Sequence, residues 1–420
     1  MAVEANIITI ATGTGTSQVN TAHGMTATPQ VAILLHSALR GVDQRVSIGA
    51  FTSATERAGF AIFSDGGTAA SDTASLIVTD GCLPILNDTT TVDGQLDAVG
   101  FDATNVSVIP DNAFTASNNV SCLLLAGLTN VKVGTITVQA ATGTQAITGI
   151  GFQPDVLLFF GVSGVAAGTI AAHARFCYGW GTASQQRALA TNSRDAQDPT
   201  ATWALISDDY AWVTLAATTG AVSDGFVIST MDSDGFTLNK LVGGNTPIVG
   251  YVALKGCQAK IVDSAMRTDT NNQTVTGVGF SPRVVLQMIR PEVAASEEGT
   301  SSDHAEWGAG WAVSSSKRYS MWAADEDNLA TTDVYATQST TRFAINFDKE
   351  TGAVDGGDMD FVSLDSDGCT LDQDTAAAAA IYLPLLFLGD AASTGPSNPS
   401  VDNASTGLRR SARRMVAIGD

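Results

Sequence analysis

The chain has 420 residues, enough for two to four domains, and its 44% apolar against 15% charged residues excludes a disordered polypeptide. Forty-two acids face 21 bases, and a net charge of −21 would repel phosphates, so the body is not expected to bind nucleic acid. Only eight of the acids are Glu; the rest are Asp, which prefers turns where Glu prefers helices, so the charge points to loops of a strand-rich protein.

In chain order, "MAVEANIITI" carries an acid and no base, so no signal peptide is expected. "TAHGMTATPQVAILLHS" then sets Pro29 ahead of an apolar strand. The same arrangement returns at Thr148 as "TGIGFQPDVLLFFG" and at Thr276 as "TGVGFSPRVVLQMI", around Pro154 and Pro282. After each comes a second landmark, Gly49, Gly179 and Gly310, with Arg57, Arg187 and Arg318 at one common distance beyond. A third follows at Asp102, Asp232 and Asp365, and each copy closes on an apolar strand: "SCLLLAGL", "VGYVALKG" and "IYLPLLFLGD". Three landmarks at matching offsets define a triplicated module. The first copy is the most diverged, with no aromatic pair beside Gly49 and no Asp-Gly turn.

Within each copy short β-branched and aromatic runs are punctuated by Gly, Asn, Asp and Pro, which reads as strands. "DFVSLDSDGCTLDQ" is strand, tight turn, strand. No window shows an amphipathic helix of three turns, although "SSSKRYSMWAADEDNLA" has room for one turn. The expected fold is all-β: three tandem antiparallel, jelly-roll-like β-sandwiches over residues 1–129, 130–257 and 258–391. Residues 392–420 form a linker and an extended C-terminal arm, "ASTGPSNPSVDNASTG" followed by "LRRSARRMVAIGD". The arm gathers Arg409, Arg410, Arg413 and Arg414 on a chain otherwise poor in base. It reads either as a solvated tail or as a docking arm for an acidic neighbour. The longest apolar run, from Ala376 to Leu388, is too short to span a membrane as a helix, so a soluble protein is expected with no membrane partner.

Signatures of chemistry are absent from the sequence. There is no phosphate-binding loop, nucleophile elbow or HExxH. His23, His36, His173 and His304 show no ligand spacing and read as not recurring between copies. Cys82, Cys122, Cys177, Cys257 and Cys369 are dispersed, which suits small buried hydrophobes better than disulfides or zinc. "DSDG" at Asp232 and Asp365 fails the calcium-loop pattern, since position twelve is Gly243 or Ala376. Asp208–Asp209 and Glu297–Glu298 are adjacent rather than facing. No catalytic residue, metal or cofactor is expected, and the chain is not expected to be an enzyme. Tyr178, Trp180, Arg187, Trp307, Trp311 and Arg318 offer either a core strand with its arginine tied to the sheet edge, or an interface or glycan-stacking platform. The platform reading requires Trp180 and Trp311 exposed on a common face.

The phrases "TGIGFQPDVLLFFG", "MDSDGFTL" and the closing "VGYVALKG" resemble a repeat module of tailed-phage and prophage virion structural proteins, across nearly all of copies two and three and more loosely copy one. The resemblance implies a place on a virion assembled in the host cytoplasm, and it supplies no catalytic residues. With no chemistry, a tripled β-module, an acidic body and a basic end, the leading expectation is a capsid decoration or cement protein. Its partners would be other virion proteins, either the major capsid protein or tail components, in a homo-oligomer or lattice. The alternative is a tail-associated receptor- or glycan-binding protein.

Overall fold

A computed structural model describes residues 2–37, 43–162, 164–291, 293–297, 302–347 and 357–392. It is all-β, with no helix among those residues. The "SSSKRYSMWAADEDNLA" window holds no helical turn; most of it is the strand Lys317–Asp325, whose Tyr319, Met321 and Ala323 alternate into the core.

The first unit contains β1 (Glu4–Ala11), β2 (Val19–Ala22), β3 (Val31–Ser37), β4 (Gln44–Phe51), β5 (Arg57–Ser64), β6 (Thr73–Val78), β7 (Leu83–Leu86), β8 (Val92–Phe101), β9 (Asn105–Pro110) and β10 (Asn119–Ala126). Its large sheet has the order β1-β10-β3-β4-β5-β6 and its small sheet β2-β9-β8-β7. The pairs β1–β10 and β2–β9 follow a jelly-roll path across both sheets, after which β3–β6 and β7–β9 run as meanders. The second unit, with strands from Asn130 to Lys255, and the third, from Cys257 to Asp390, repeat both strand orders. Cys257 therefore opens the third unit, two strands meeting across Gly256, rather than closing the second.

The recurring glycines are explained by packing within a unit. A Cβ on Gly49 would lie 1.7 Å from the carbonyl oxygen of Cys82, one on Gly179 2.2 Å from that of Ala211, and one on Gly310 2.9 Å from that of Phe343. Each is the point where the large sheet meets the backbone leading into the edge strand of the small sheet, β7 in the first unit, so only glycine fits.

A sandwich of this kind ordinarily leaves one face of each sheet to water. Here β3 and β6 are buried along their whole length. The outer faces of all three large sheets turn inward on one shared core, to which Ile33, Ile48 and Phe60 of the first unit, Leu158, Phe176 and Trp180 of the second and Leu286, Trp307 and Trp311 of the third contribute. Separate sandwich cores lie between the large and small sheets of each unit.

Candidate functional site

The aromatic landmark lies at the centre of that shared core. Tyr178 is 1% exposed and Trp180, Trp307 and Trp311 are fully buried. Phe60, Phe176 and Trp307, one from each unit, meet in series: Phe176 stacks on Trp307 at 4.1 Å, and Phe60 lies tilted against Phe176 at 5.9 Å. The Trp311 indole N–H crosses from the third unit to donate to the Ser121 hydroxyl of the first at 3.1 Å. The glycan-platform reading is thus corrected: these rings present no common exposed face, because all four are buried in the core the three units share. The interface they form is internal to the chain.

The arginine landmark needs a second correction. Arg57 pairs opposite Phe51 and Arg318 opposite Ala312, but at the matching position of the second unit Gly181 faces Gln186, and Arg187 stands one residue further on. The connecting loop is shorter there, and a slip of one residue along a strand moves a side chain to the opposite face. Arg57 and Arg318 face their own small sheets and pair with Asp97 and Asp360 at 3.2 Å. Arg187 faces the neighbouring unit, where its guanidinium forks onto Asp263 at 3.0 and 2.5 Å and also meets the Tyr382 hydroxyl. Gln186 takes the inward place, its amide oxygen accepting from Ile228 N–H.

The seams between units repeat in a circle. Glu56 of the first unit accepts from Lys132 of the second at 2.6 Å, the Gln185 amide of the second brackets Ile261 of the third, and Lys317 of the third donates to the Ile7 carbonyl of the first. At the other end, three eight-residue clasp loops, 65–72, 194–201 and 326–333, interlock through main-chain bonds. Ser71 N–H donates to Gln197 O and Ala196 N–H to Ser71 O; Thr200 N–H to Leu329 O and Asn328 N–H to Thr200 O; Thr332 N–H to Thr68 O and Gly67 N–H to Thr332 O, all between 2.7 and 2.9 Å. One contact passed from first to second, second to third and third back to first is a heterologous interface that closes, so the units form a pseudo-threefold ring in one chain. Short strands add to this: Ala171–Ala172 extends the first unit's sheet beside β6, and Ser302–Asp303 extends the second's.

The histidines are also better placed than the sequence reading allowed. His173 and His304 occupy equivalent positions, each with positive φ, and each Nδ1 accepts from the main chain of its own clasp loop, from Asp195 N–H and Asp327 N–H. In the first unit Asp43 stands there and accepts from Gly66 N–H at 3.5 Å. These side chains shape the clasp.

The Asp-rich turns are tight hairpins, with Asp232 opposite Gly235 and Asp365 opposite Gly368. Their carboxylates are engaged by the chain. Asp232 accepts from Thr230 and Thr237, while Asp234 accepts from the N–H groups of Gly149 and Gly151. Asp367 does the same for Gly277 and Gly279. The two phrases that recur most clearly are therefore the two halves of one clamp, and these bonds hold Asp234 and Asp367 below the usual carboxylate range. In the first unit Thr104 replaces the clamping Asp, and Glu4 supplies a carboxylate to Thr26 and Ala27 N–H instead. Among the described residues no cluster of three His, Cys, Asp or Glu gathers for a metal ion.

The remaining candidates are dispersed. All five cysteines are buried free thiols. Asp208 accepts from Ser296 and Glu297 from Ile206 N–H, stitching a third-unit loop to the second unit; Glu298 lies outside the described residues. A 450 Å³ cleft in the third unit is lined by Gln338, Arg342, Phe347 and Asp358, with Asp358 tied to Arg342. Arg409, Arg410, Arg413 and Arg414 also lie outside the described residues. Fold and seams together define a self-closed three-sandwich ring. No protein-family model matches the chain, and no curated protein was found similar to it.

Proposed function

We propose that this chain is a virion structural protein of a tailed bacteriophage, a decoration or cement protein that binds the outer capsid through many modest protein contacts. The observation that carries the reading is ring closure. Three copies of one sandwich surface are fixed about a common axis, which suits a local threefold position on a lattice, where three weak contacts act together. The virion assignment rests on the resemblance of the repeated phrases. Burial of Trp180 and Trp311 removes the surface on which a glycan-binding reading depended. Cryo-electron microscopy of intact particles tests the proposal. The expected result is one chain per site with its ring axis on a local capsid threefold; density confined to the tail would overturn it. A full-length variant with Arg409, Arg410, Arg413 and Arg414 all changed to Ala should bind capsids more weakly, and unchanged binding removes the arm from the proposal.

A further inference from the structure

Ser64, Ser193 and Asp325 end equivalent strands of the three units, directly beneath the clasp loops, on the face turned to the ring axis. Two units thus place a hydroxyl where the third places an acid. Asp325 is 1% exposed. All three units touch it. Ser64 donates to its Oδ2 at 2.6 Å, Thr202 of the second unit donates to its main-chain carbonyl at 2.9 Å, and Ala305 N–H of its own unit donates there at 3.0 Å. The Ser193 hydroxyl of the second unit also lies against the carboxyl.

The charged surroundings offer little compensation. Asp327 and Asp333 of the same clasp loop, which also carries Glu326, act on the carboxyl and disfavour its ionisation. The adjoining loops add Asp65 and Asp72 from the first unit and Arg194, Asp195 and Asp198 from the second, with His173 and His304 beneath them. An ionised Asp325 is a buried anion with two serine hydroxyls and no ion-pair partner, which is costly; a neutral one escapes the desolvation cost.

We propose that Asp325 is an acid-operated latch on the ring: neutral, it holds the three clasp loops closed, and ionised, it loosens them. Burial pushes the carboxyl up to about 6, against the Ser64 and Ser193 hydroxyls, which favour the charged form. A folded-state value above the ordinary 3.8 means stabilisation that is complete below that ordinary value and is lost as pH rises through about 6. A displacement of roughly two units corresponds to at most about a hundredfold change in the clasp's opening equilibrium.

Hydrogen exchange of the clasp amides Gly67, Ala196 and Asn328 in the full-length protein tests this between pH 5 and pH 8, after correction for intrinsic exchange. The wild-type opening constant should rise by up to about tenfold over that range, the earlier part of the hundredfold falling below pH 5, where the open form is already ionised. Asp325→Ser, which installs the residue of the sister units, and Asp325→Asn should abolish the rise. Asp65→Asn, which removes a second clasp acid shifted upward, should leave most of it. A flat wild-type profile, or an undiminished rise in the Ser and Asn variants, overturns the proposal. Should both variants fail to fold, carbon-13 titration of the wild-type carboxyl decides, and an Asp325 value in the ordinary Asp range refutes it.

Discussion

Replacing Gly49 with alanine tests how the two sheets of a unit meet. The added methyl would stand 1.7 Å from the Cys82 carbonyl oxygen and 2.9 Å from that of Ala58, against an ordinary contact of 3.4–4 Å. Relief requires moving backbone by more than an ångström, and Cys82 is held by its own N–H bond to Leu96 O at 2.7 Å. Overpacking ordinarily costs about 1–3 kcal/mol where side chains can yield; with only backbone to displace, Gly49→Ala should cost about 3 kcal/mol or more. Gly179→Ala follows at 2.2 Å from Ala211 O. Gly15→Ala is the control, since nothing lies within 4 Å of that position, and a change within about 0.5 kcal/mol is expected. Urea unfolding followed by circular dichroism should show a lower midpoint for Gly49→Ala with an unchanged slope. A Gly49→Ala protein as stable as the control would refute the packing argument for all three glycines.

Two other outcomes follow from the same geometry. Lys240 and Asp224 form a buried ion pair at 2.8 Å with side chains 1% and 0% exposed, so Lys240→Met alone should cost about 3–5 kcal/mol by stranding the carboxylate, whereas Lys240→Met with Asp224→Leu should recover most of it in the same urea assay. Asp234 has a lowered folded-state pKa, so its clamp contributes above the ordinary Asp value and is lost as pH falls through the depressed one. Exchange at the Gly149 and Gly151 amides, corrected for intrinsic rates, should therefore quicken in acid in the wild type and be fast at every pH in Asp234→Ala.

The tripled module and its strands were legible because turn chemistry is local: Pro29, Pro154 and Pro282 open equivalent strands, and each Asp-Gly pair closes a hairpin. The ring was harder to read. Its signal is "VAILLHS", where all seven residues are buried although a two-sheet sandwich covers only one face of each strand. An uninterrupted apolar strand in an antiparallel fold calls for a third layer, and here the neighbouring units provide it. The Arg187 slip was hidden because equal spacing from Gly179 does not report the length of the intervening loop. Equivalence of His173 and His304 was present in the spacing to Gly179 and Gly310, but Asp43 in the first copy disguised it.

Joining the three units in one chain changes what the axis can hold. In a ring of identical subunits every substitution appears three times, and an acid at the Ser64 position would bring three buried carboxylates together, each raising the others' cost of ionisation. Fusion removes that constraint. The linkers are short, residues 127–129 and Gly256 alone, so each unit meets its neighbours at high effective concentration and individually weak seams suffice. The copies were then free to differ where a symmetric assembly is not: one acid among hydroxyls at the axis, one arginine turned to its neighbour, one clamp supplied by Glu4. Asymmetry at the axis is thus a consequence of covalent linkage, and Asp325 is its sharpest instance.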